Sequence, residues 1–270
     1  MIQMSAIVTL TTDFGISDSY LAAMKGRLLS LVPDLRLVDV SHTIPLGNIL
    51  RGALAVRDVV PYFPPGTVHL VVIDPGVGSS RRPLLVRTPS WQAVGPDNGV
   101  LSLLWEGGAD VRFFELQRDA VARGPVSNTF HGRDLFAPAA ALLAAGRPAE
   151  ELGLPLADPV RLELPAPVVA ELSVVGEVLY HDSFGNLVTN IREDQLPGEP
   201  AGLLVEVAGR VVRGLAQNYT QHQGGLLALI GSTGLLEIAQ PGGSAHQALG
   251  VDFGTRVRVT AADCRSITWR

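Results

Sequence analysis

Apolar runs and helix-spaced apolar positions alternate along the first part of the chain. Ala6-Ile7-Val8-Thr9-Leu10 reads as a strand. Ser17, Asp18 and Ser19 then offer helix caps, and Leu21, Met24, Leu28 and Leu31 recur at helical spacing until Pro33 stops the run. Leu35–Val40 is the next strand. Asn48–Val60 is helical, with Leu50, Leu54, Val56 and Val60 apolar, and Thr67–Ile73 is a third strand. Asn98–Trp105 and Gly132–Leu143 read as further helices. Strands alternating with helices predict an α/β domain over residues 1–165, with a mostly parallel sheet between helices.

The texture changes at Leu162-Glu163-Leu164-Pro165-Ala166-Pro167. Beyond that proline-rich linker the segments are short and β-like: Gly176–His181, Leu203–Val207, Leu226–Ile230, Leu235–Ala239 and Thr255–Thr260. Gly and Pro punctuate them, with little helical periodicity. A small antiparallel barrel or sandwich over residues 168–270 is expected.

The most informative stretch is Val71-Val72-Ile73-Asp74-Pro75-Gly76-Val77-Gly78-Ser79-Ser80-Arg81. It reads as a buried parallel strand that delivers Asp74 to its carboxyl end, with a tight loop behind it. Ligands of open α/β sheets sit beyond such ends. The loop returns through Arg81, so a carboxylate and a guanidinium could face one pocket. The plainer alternative is an Asp bonded to its own loop amides beside a solvated Arg81.

Three other polar clusters flank apolar segments. Thr11-Thr12-Asp13-Phe14-Gly15 closes the first strand, where a carboxylate suits vicinal ribose hydroxyls as well as loop amides. Asn128-Thr129-Phe130-His131-Gly132-Arg133-Asp134 opens a predicted helix, whose positive end favours a neutral His131. His181-Asp182-Ser183-Phe184-Gly185-Asn186-Leu187-Val188-Thr189-Asn190 lies in the second domain. Phe184 and Asn186 could stack on a flat base and bond its edge; a plain β-turn is the alternative. Asp13-Phe14-Gly15 and His131-Gly132-Arg133-Asp134 superficially match kinase signatures, but their order is reversed and the upstream glycine loop and lysine are missing. Gly76 and Gly78 precede no Gly-Lys-Ser/Thr, so they make no Walker loop.

Composition narrows the classes. Apolar residues are 47% and charged residues 17% of the 270, which suits a globular chain with ample core. The net charge is −5 and no basic block appears, so no nucleic-acid partner is expected. Cys264 is the single cysteine, which excludes an internal disulfide or a cysteine metal cluster and suits a reducing compartment. The six histidines show no pair at metal-ligand spacing, so no metal is expected. There is no long apolar run, and Met1-Ile2-Gln3-Met4 lacks the pattern of a signal peptide. A cytoplasmic protein without membrane partners is expected.

The ordered set of pieces resembles the S-adenosylmethionine hydrolase family, also called SAM hydroxide adenosyltransferases, relatives of the fluorinase and chlorinase. The pieces are Thr12-Asp13-Phe14-Gly15 with Asp18, Tyr20 and Met24-Lys25-Gly26; Val40-Ser41-His42; Asp74-Pro75-Gly76-Val77-Gly78; Pro96-Asp97-Asn98-Gly99; Thr129 to Asp134; Phe184-Gly185-Asn186 with Thr189-Asn190; and Gly231-Ser232 with Gly234 and Leu236-Glu237-Ile238-Ala239. They run in order over nearly the whole chain. The resemblance implies an N-terminal α/β domain, a C-terminal β-barrel, and a homotrimer with active sites between subunits. It implies that water splits S-adenosylmethionine into adenosine and methionine, with no cofactor. The water-site triad falls on Asp74, Arg81 and His131; Arg82 is adjacent, and the loop spacing favours Arg81. Asp13 would hold the ribose, and Phe184 and Asn186 the adenine. Asp182 and Ser232 would take the amino and carboxylate ends of methionine. Phe14, Tyr20 and Gly242 complete the substrate-binding set. The fluorinase has tyrosines where Asp74 and His131 stand, which disfavours halide use. A halogenase-like transferase and a non-catalytic adenosine or S-adenosylmethionine binder are the alternatives.

Overall fold

A computed structural model of the chain describes residues 5–105, 110–221 and 224–261. Met1–Met4 and Cys264, on which the leader and thiol expectations rest, lie outside the described residues. The chain divides into two compact units, Met1–Leu162 and Glu163–Arg270.

The first unit holds a 7-stranded sheet. Its elements in chain order are β1 (Ile7–Thr12), α1 (Tyr20–Leu31), β2 (Arg36–Ser41), α2 (Ile49–Val59), β3 (Thr67–Val72), β4 (Pro83–Arg87), β5 (Trp91–Pro96), β6 (Arg112–Leu116), α3 (Arg118–Val121), α4 (Ala137–Ala144), α5 (Ala149–Leu152) and β7 (Gly153–Pro155). The strand order is β2-β1-β3-β5-β4-β6-β7. Both faces are covered. Along β3 and its end, Leu70 and Val72 join a core with Met24, Leu28 and Phe136, while Val71 and Ile73 join one with Val56 and Trp105. Successive strand residues point to opposite faces, so a strand buried on both sides reads as one continuous apolar run.

The expected mostly parallel sheet is corrected here to a mixed one. β2, β1, β3 and β5 are parallel neighbours. The β5–β4, β4–β6 and β6–β7 pairings are antiparallel. The reversal comes from a hairpin at Thr88-Pro89-Ser90. Thr88 Oγ1 accepts from Trp91 N at 3.0 Å and from Ser90 N at 3.3 Å, which closes a side-chain turn too tight for a crossover helix. A second correction concerns Asn98–Trp105, where only Ser102–Leu104 is helical, as one 3₁₀ turn. Asn98 donates to the Ile73 carbonyl at 2.9 Å and accepts from Val100 N at 3.1 Å, so its side chain ties a loop to the end of β3. Gly132–Leu143 is a single π-helical turn, Gly132–Phe136, running into α4.

The second unit is an antiparallel 8-stranded sheet built from β8 (Val168–Ala170), β9 (Ser173–His181), β10 (Leu187–Arg192), β11 (Leu203–Val207), β12 (Arg210–Arg213), β13 (Leu227–Ile230), β14 (Leu235–Ala239) and β15 (Arg256–Ala261), with the short α6 (Ala245–Leu249). Its order is β12-β11-β15-β9-β10-β14-β13, with β8 also on β9. β9 serves two neighbours along its length: Ser173 to Glu177 pair with β15, and Val178 to His181 with β10. The end strands β12 and β13 lie against each other, so the sheet curls nearly closed around Val174, Leu187, Val205, Leu236 and Val259. Among the described residues no helix is long and apolar enough to cross a membrane.

Candidate active site

In the first unit β3 ends at Val72, and Asp74 follows immediately beyond the sheet. Arg81 Nε donates to Asp74 Oδ1 at 2.8 Å, and Arg81 Nη2 donates to Asp74 Oδ2. The same Nη2 lies 2.7 Å from His131 Nδ1. The Arg81 and Asp74 side chains are only 10% and 5% exposed. A guanidinium has no acceptor, so Nδ1 must accept, and the imidazole is neutral with its proton on Nε2. Burial, and then the positive charge of Arg81, hold the His131 pKa below its usual 6.5.

Two loops meet to make this cluster. Gly78, at φ +78°, lies against the backbone before His131: a Cβ there would stand 2.3 Å from the Asn128 carbonyl oxygen. Only glycine permits that approach. A cavity of about 540 Å³ opens beside the cluster and is lined by Asp13, Phe14, Tyr20, Asp74, Phe130 and His131, among others. Phe14, Tyr20 and Phe130 form an aromatic wall, Phe130 edge-on to both other rings and Phe14 tilted against Tyr20, with centroids 5.3 to 6.3 Å apart. Asp13 Oδ2 accepts from Gly47 N at 2.8 Å, which fixes the carboxylate against the Gly47 loop where both line this cavity. Arg82 turns away from this cavity, donating to Asp97 from Nε at 2.8 Å and to Asp158 from Nη1 at 2.7 Å. Arg81 is therefore the arginine of the cluster.

The second unit has its own cavity of about 690 Å³, lined by Asp182, Phe184, Asn186, Ser232 and Gly242 with several others. Asp182 Oδ1 accepts from Phe184 N and Asn186 N, each at 2.9 Å, and Oδ2 accepts from Asn186 Nδ2 at 2.9 Å. Its carboxylate thus shapes the loop that presents Phe184 and Asn186. Gly185, at φ +82°, packs on α6, where a Cβ would stand 2.1 Å from Ser244 Oγ. The structure thus gathers Asp13, Phe14, Tyr20, Asp74, Arg81 and His131 in one unit, and Asp182, Phe184, Asn186, Ser232 and Gly242 in the other.

Several lining residues escaped the sequence reading. Thr129 and Phe130 were visible only as neighbours of His131. Tyr219, Glu237 and Gln240 line the second cavity. Gln240 Oε1 is buried without a protein partner, an acceptor that a ligand donor would satisfy. Tyr219 sits in an irregular segment with no local pattern, and Glu237 lies inside a strand that reads as core. Among the described residues no group of three or more His, Cys, Asp and Glu is gathered as a metal site requires.

An α/β unit with an arginine-bridged Asp–His pair beyond a strand end, joined to a small β-barrel with an aromatic, carboxylate-lined pocket, defines a two-domain protein built to take a small polar ligand. The chain belongs to the SAM hydroxide adenosyltransferase family: the N-terminal domain of that family matches residues 8–153 and the C-terminal domain residues 176–258. The (R)-S-adenosyl-L-methionine hydrolase of Thermus thermophilus is 40% identical over 255 residues, covering 92% of this chain and 97% of that protein. A fluorinase of Nocardia brasiliensis is 31% identical over 217 residues, covering 70% of this chain and 72% of its own. The crystal structure of an uncharacterized conserved protein from Thermotoga maritima matches with a TM-score of 0.87 at 33% identity, covering 94% of this chain and 99% of that one.

Proposed function

We propose that this chain hydrolyses S-adenosylmethionine to adenosine and methionine, with water or hydroxide attacking C5′ and methionine leaving as a neutral sulfide. The observation that carries the reading is the single guanidinium of Arg81 touching both Asp74 and His131 at the edge of a cavity that also holds Asp13. The similarity to (R)-S-adenosyl-L-methionine hydrolases over most of the chain supports it.

The sulfonium is already a good leaving group, so the reaction needs no acid to expel methionine and draws on no cofactor. It needs a nucleophile aligned behind C5′ and sheltered from bulk water. Arg81 favours the deprotonated form of the nucleophile by its charge. His131 donates from Nε2 to the water oxygen, and Asp74 accepts the water proton. Asp13 holds the ribose hydroxyls, with Phe14 and Tyr20 walling the same cavity. Phe184 and Asn186 hold the adenine, while Ser232, Asp182 and Gly242 face the methionine end. We place these two residue sets in different subunits of a homotrimer that completes each site. Large apolar side chains exposed at both cavities support an interface there: Tyr20 is 53%, Leu46 91% and Phe184 77% exposed in the single chain. A cytoplasmic location fits the single cysteine.

The test incubates the purified protein with each sulfonium epimer of S-adenosylmethionine in ¹⁸O-water, with and without chloride. The name of the relatives specifies the (R) epimer, so the epimers are kept apart. Adenosine labelled at the 5′ oxygen, together with methionine, is the expected result. A 5′-chloro product would make the chain a halogenase-like transferase. Intact ligand retained without turnover would make it a binding protein.

A further inference from the structure

The second-unit cavity contains a buried acid that the proposed chemistry does not use. Glu237, on β14, is 7% exposed and lines the cavity. Tyr219 donates from its hydroxyl to Glu237 Oε2 at 2.8 Å. The other carboxylate oxygen is folded beneath the turn that joins β13 to β14. A Cβ on Gly231 would stand 1.8 Å from Glu237 Oε1, so the carboxylate occupies the space a side chain would have taken. That turn is closed by Gly231 N donating to Leu235 O at 2.9 Å and Gly234 N to Gly231 O at 3.0 Å, and Ser232 and Thr233 at its tip line the cavity.

Tyr219 belongs to no helix or strand. Its backbone is shaped by Asn218, whose Oδ1 accepts from Thr220 N at 3.0 Å and from Thr220 Oγ1 at 2.8 Å. An Asx-type turn of this kind fixes where a side chain starts and leaves open where it ends. Glu237 fixes the far end, at the phenol.

We propose that Glu237 is a positioning residue for substrate binding: one carboxylate holds the Tyr219 phenol and supports the Ser232 turn, so two walls of the cavity keep a single shape before ligand arrives. The proposal rests on the S-adenosylmethionine reading of the cavity. Burial, reinforced by the negative charge of Asp182, raises the Glu237 pKa, and burial followed by the Glu237 contact pushes Tyr219 up to about 12. The Tyr219 hydrogen bond opposes the rise at Glu237 and so offsets part of the cost of burying its carboxylate. Such a pair acts by pre-organisation, so its loss weakens binding and spares the chemical step.

The experiment compares the whole protein with Tyr219→Phe, Glu237→Leu and Glu237→Gln, reading S-adenosylmethionine turnover and adenosine binding by calorimetry. Tyr219→Phe keeps the ring and removes only the bond, so it stays informative if Glu237→Leu fails to fold. Expected for Tyr219→Phe and Glu237→Leu is a rise of about tenfold in KM and in the adenosine Kd, with kcat within about twofold of wild type. Glu237→Gln keeps an acceptor for the phenol and is expected within about twofold of wild type in both readouts. Wild-type KM and Kd in Tyr219→Phe, a fall confined to kcat, or a Glu237→Gln as impaired as Glu237→Leu would overturn the proposal. A wild-type protein that binds adenosine without turning over S-adenosylmethionine would overturn the function reading alone, because the adenosine arm still reads the positioning.

Discussion

The 2.7 Å contact between Arg81 Nη2 and His131 Nδ1 exists only while the imidazole is neutral. Protonating Nδ1 would set two donors against each other and two positive charges side by side. Burial and the Arg81 charge hold the His131 pKa below 6.5. The acid limb of kcat/KM is therefore expected to fall below the ordinary imidazole range, and to disappear in His131→Asn. The stability linkage has the same sign. Below pH 6.5 the unfolded chain takes up a proton that the native one resists, so this contribution falls as pH drops and levels off beneath the native pKa. A pH–rate profile with its acid limb at or above 6.5 would contradict the contact.

In the proposed mechanism Arg81→Ala removes the charge that favours the nucleophile, and it frees Asp74 and His131 from their shared partner. A loss of roughly 10²–10³ in kcat is expected, with KM changing much less. Steady-state kinetics decide this; equal losses in both parameters would make Arg81 a binding residue.

Arg82→Ala should behave in the opposite way. It leaves Asp97, whose side chain is 1% exposed, without its cation. A loss of about 1–3 kcal/mol in stability is expected, with kcat nearly unchanged. Denaturant titration beside a turnover assay separates the two neighbouring arginines.

Co-expressing Asp13→Ala with Asn186→Ala chains tests where the site is completed. Each variant alone should be nearly inactive. Random assortment into trimers with sites between subunits restores about a quarter of the sites. No recovery in the mixed oligomer would confine both residues to one chain's site.

His69 predicts an acid-sensitive core. It is fully buried, its Nδ1 2.8 Å from Thr9 Oγ1, and burial lowers its pKa to about 4. Stability should fall as pH drops from 6.5 toward 4, because the unfolded histidine protonates first. The full cost, about 3 kcal/mol, is reached only below the native pKa. Melting temperature against pH reads it, and His69→Leu should flatten the decline.

Much of this was legible in the chain, and the failures have physical causes. β1, α1, β2, α2 and β3 lie within a residue or two of where periodicity put them: β1 and β3 are buried along nearly their whole length, α1 and α2 bury a stripe, and β2, with no buried residue of its own, is marked by its aliphatic run. The barrel strands β11 and β14 match their expected bounds. β4 and β5 were passed over because proline opens one and closes the other, and a hairpin turn between them imitates a loop. That omission is what made the sheet look mostly parallel. β10 was hidden inside the His181–Asn190 cluster, whose polar residues looked like a turn although Thr189 is fully buried and Asn190 nearly so. Asp74, Arg81 and His131 stood out as strand-end and helix-start polar residues, but the contact between them depends on Gly78 meeting Asn128, which sequence spacing does not express. Glu237 stood within a matched piece, but its place at the pocket was not legible, since a strand buried on both faces hides which residue borders a void.

The aromatic wall of Phe14, Tyr20 and Phe130 has a consequence for the energetics of the proposed reaction. Asp74, Arg81 and a neutral His131 sum to zero charge. Once Asp74 has taken the water proton, the hydroxide left behind carries one negative charge and the sulfonium one positive, and forming the new C–O bond extinguishes both. A displacement that destroys its own charges runs faster as the medium around it becomes less polar. In that role Phe14, Tyr20 and Phe130 are the solvent of the reaction, and widening the wall to admit bulk water would slow the displacement without touching any group that handles the proton.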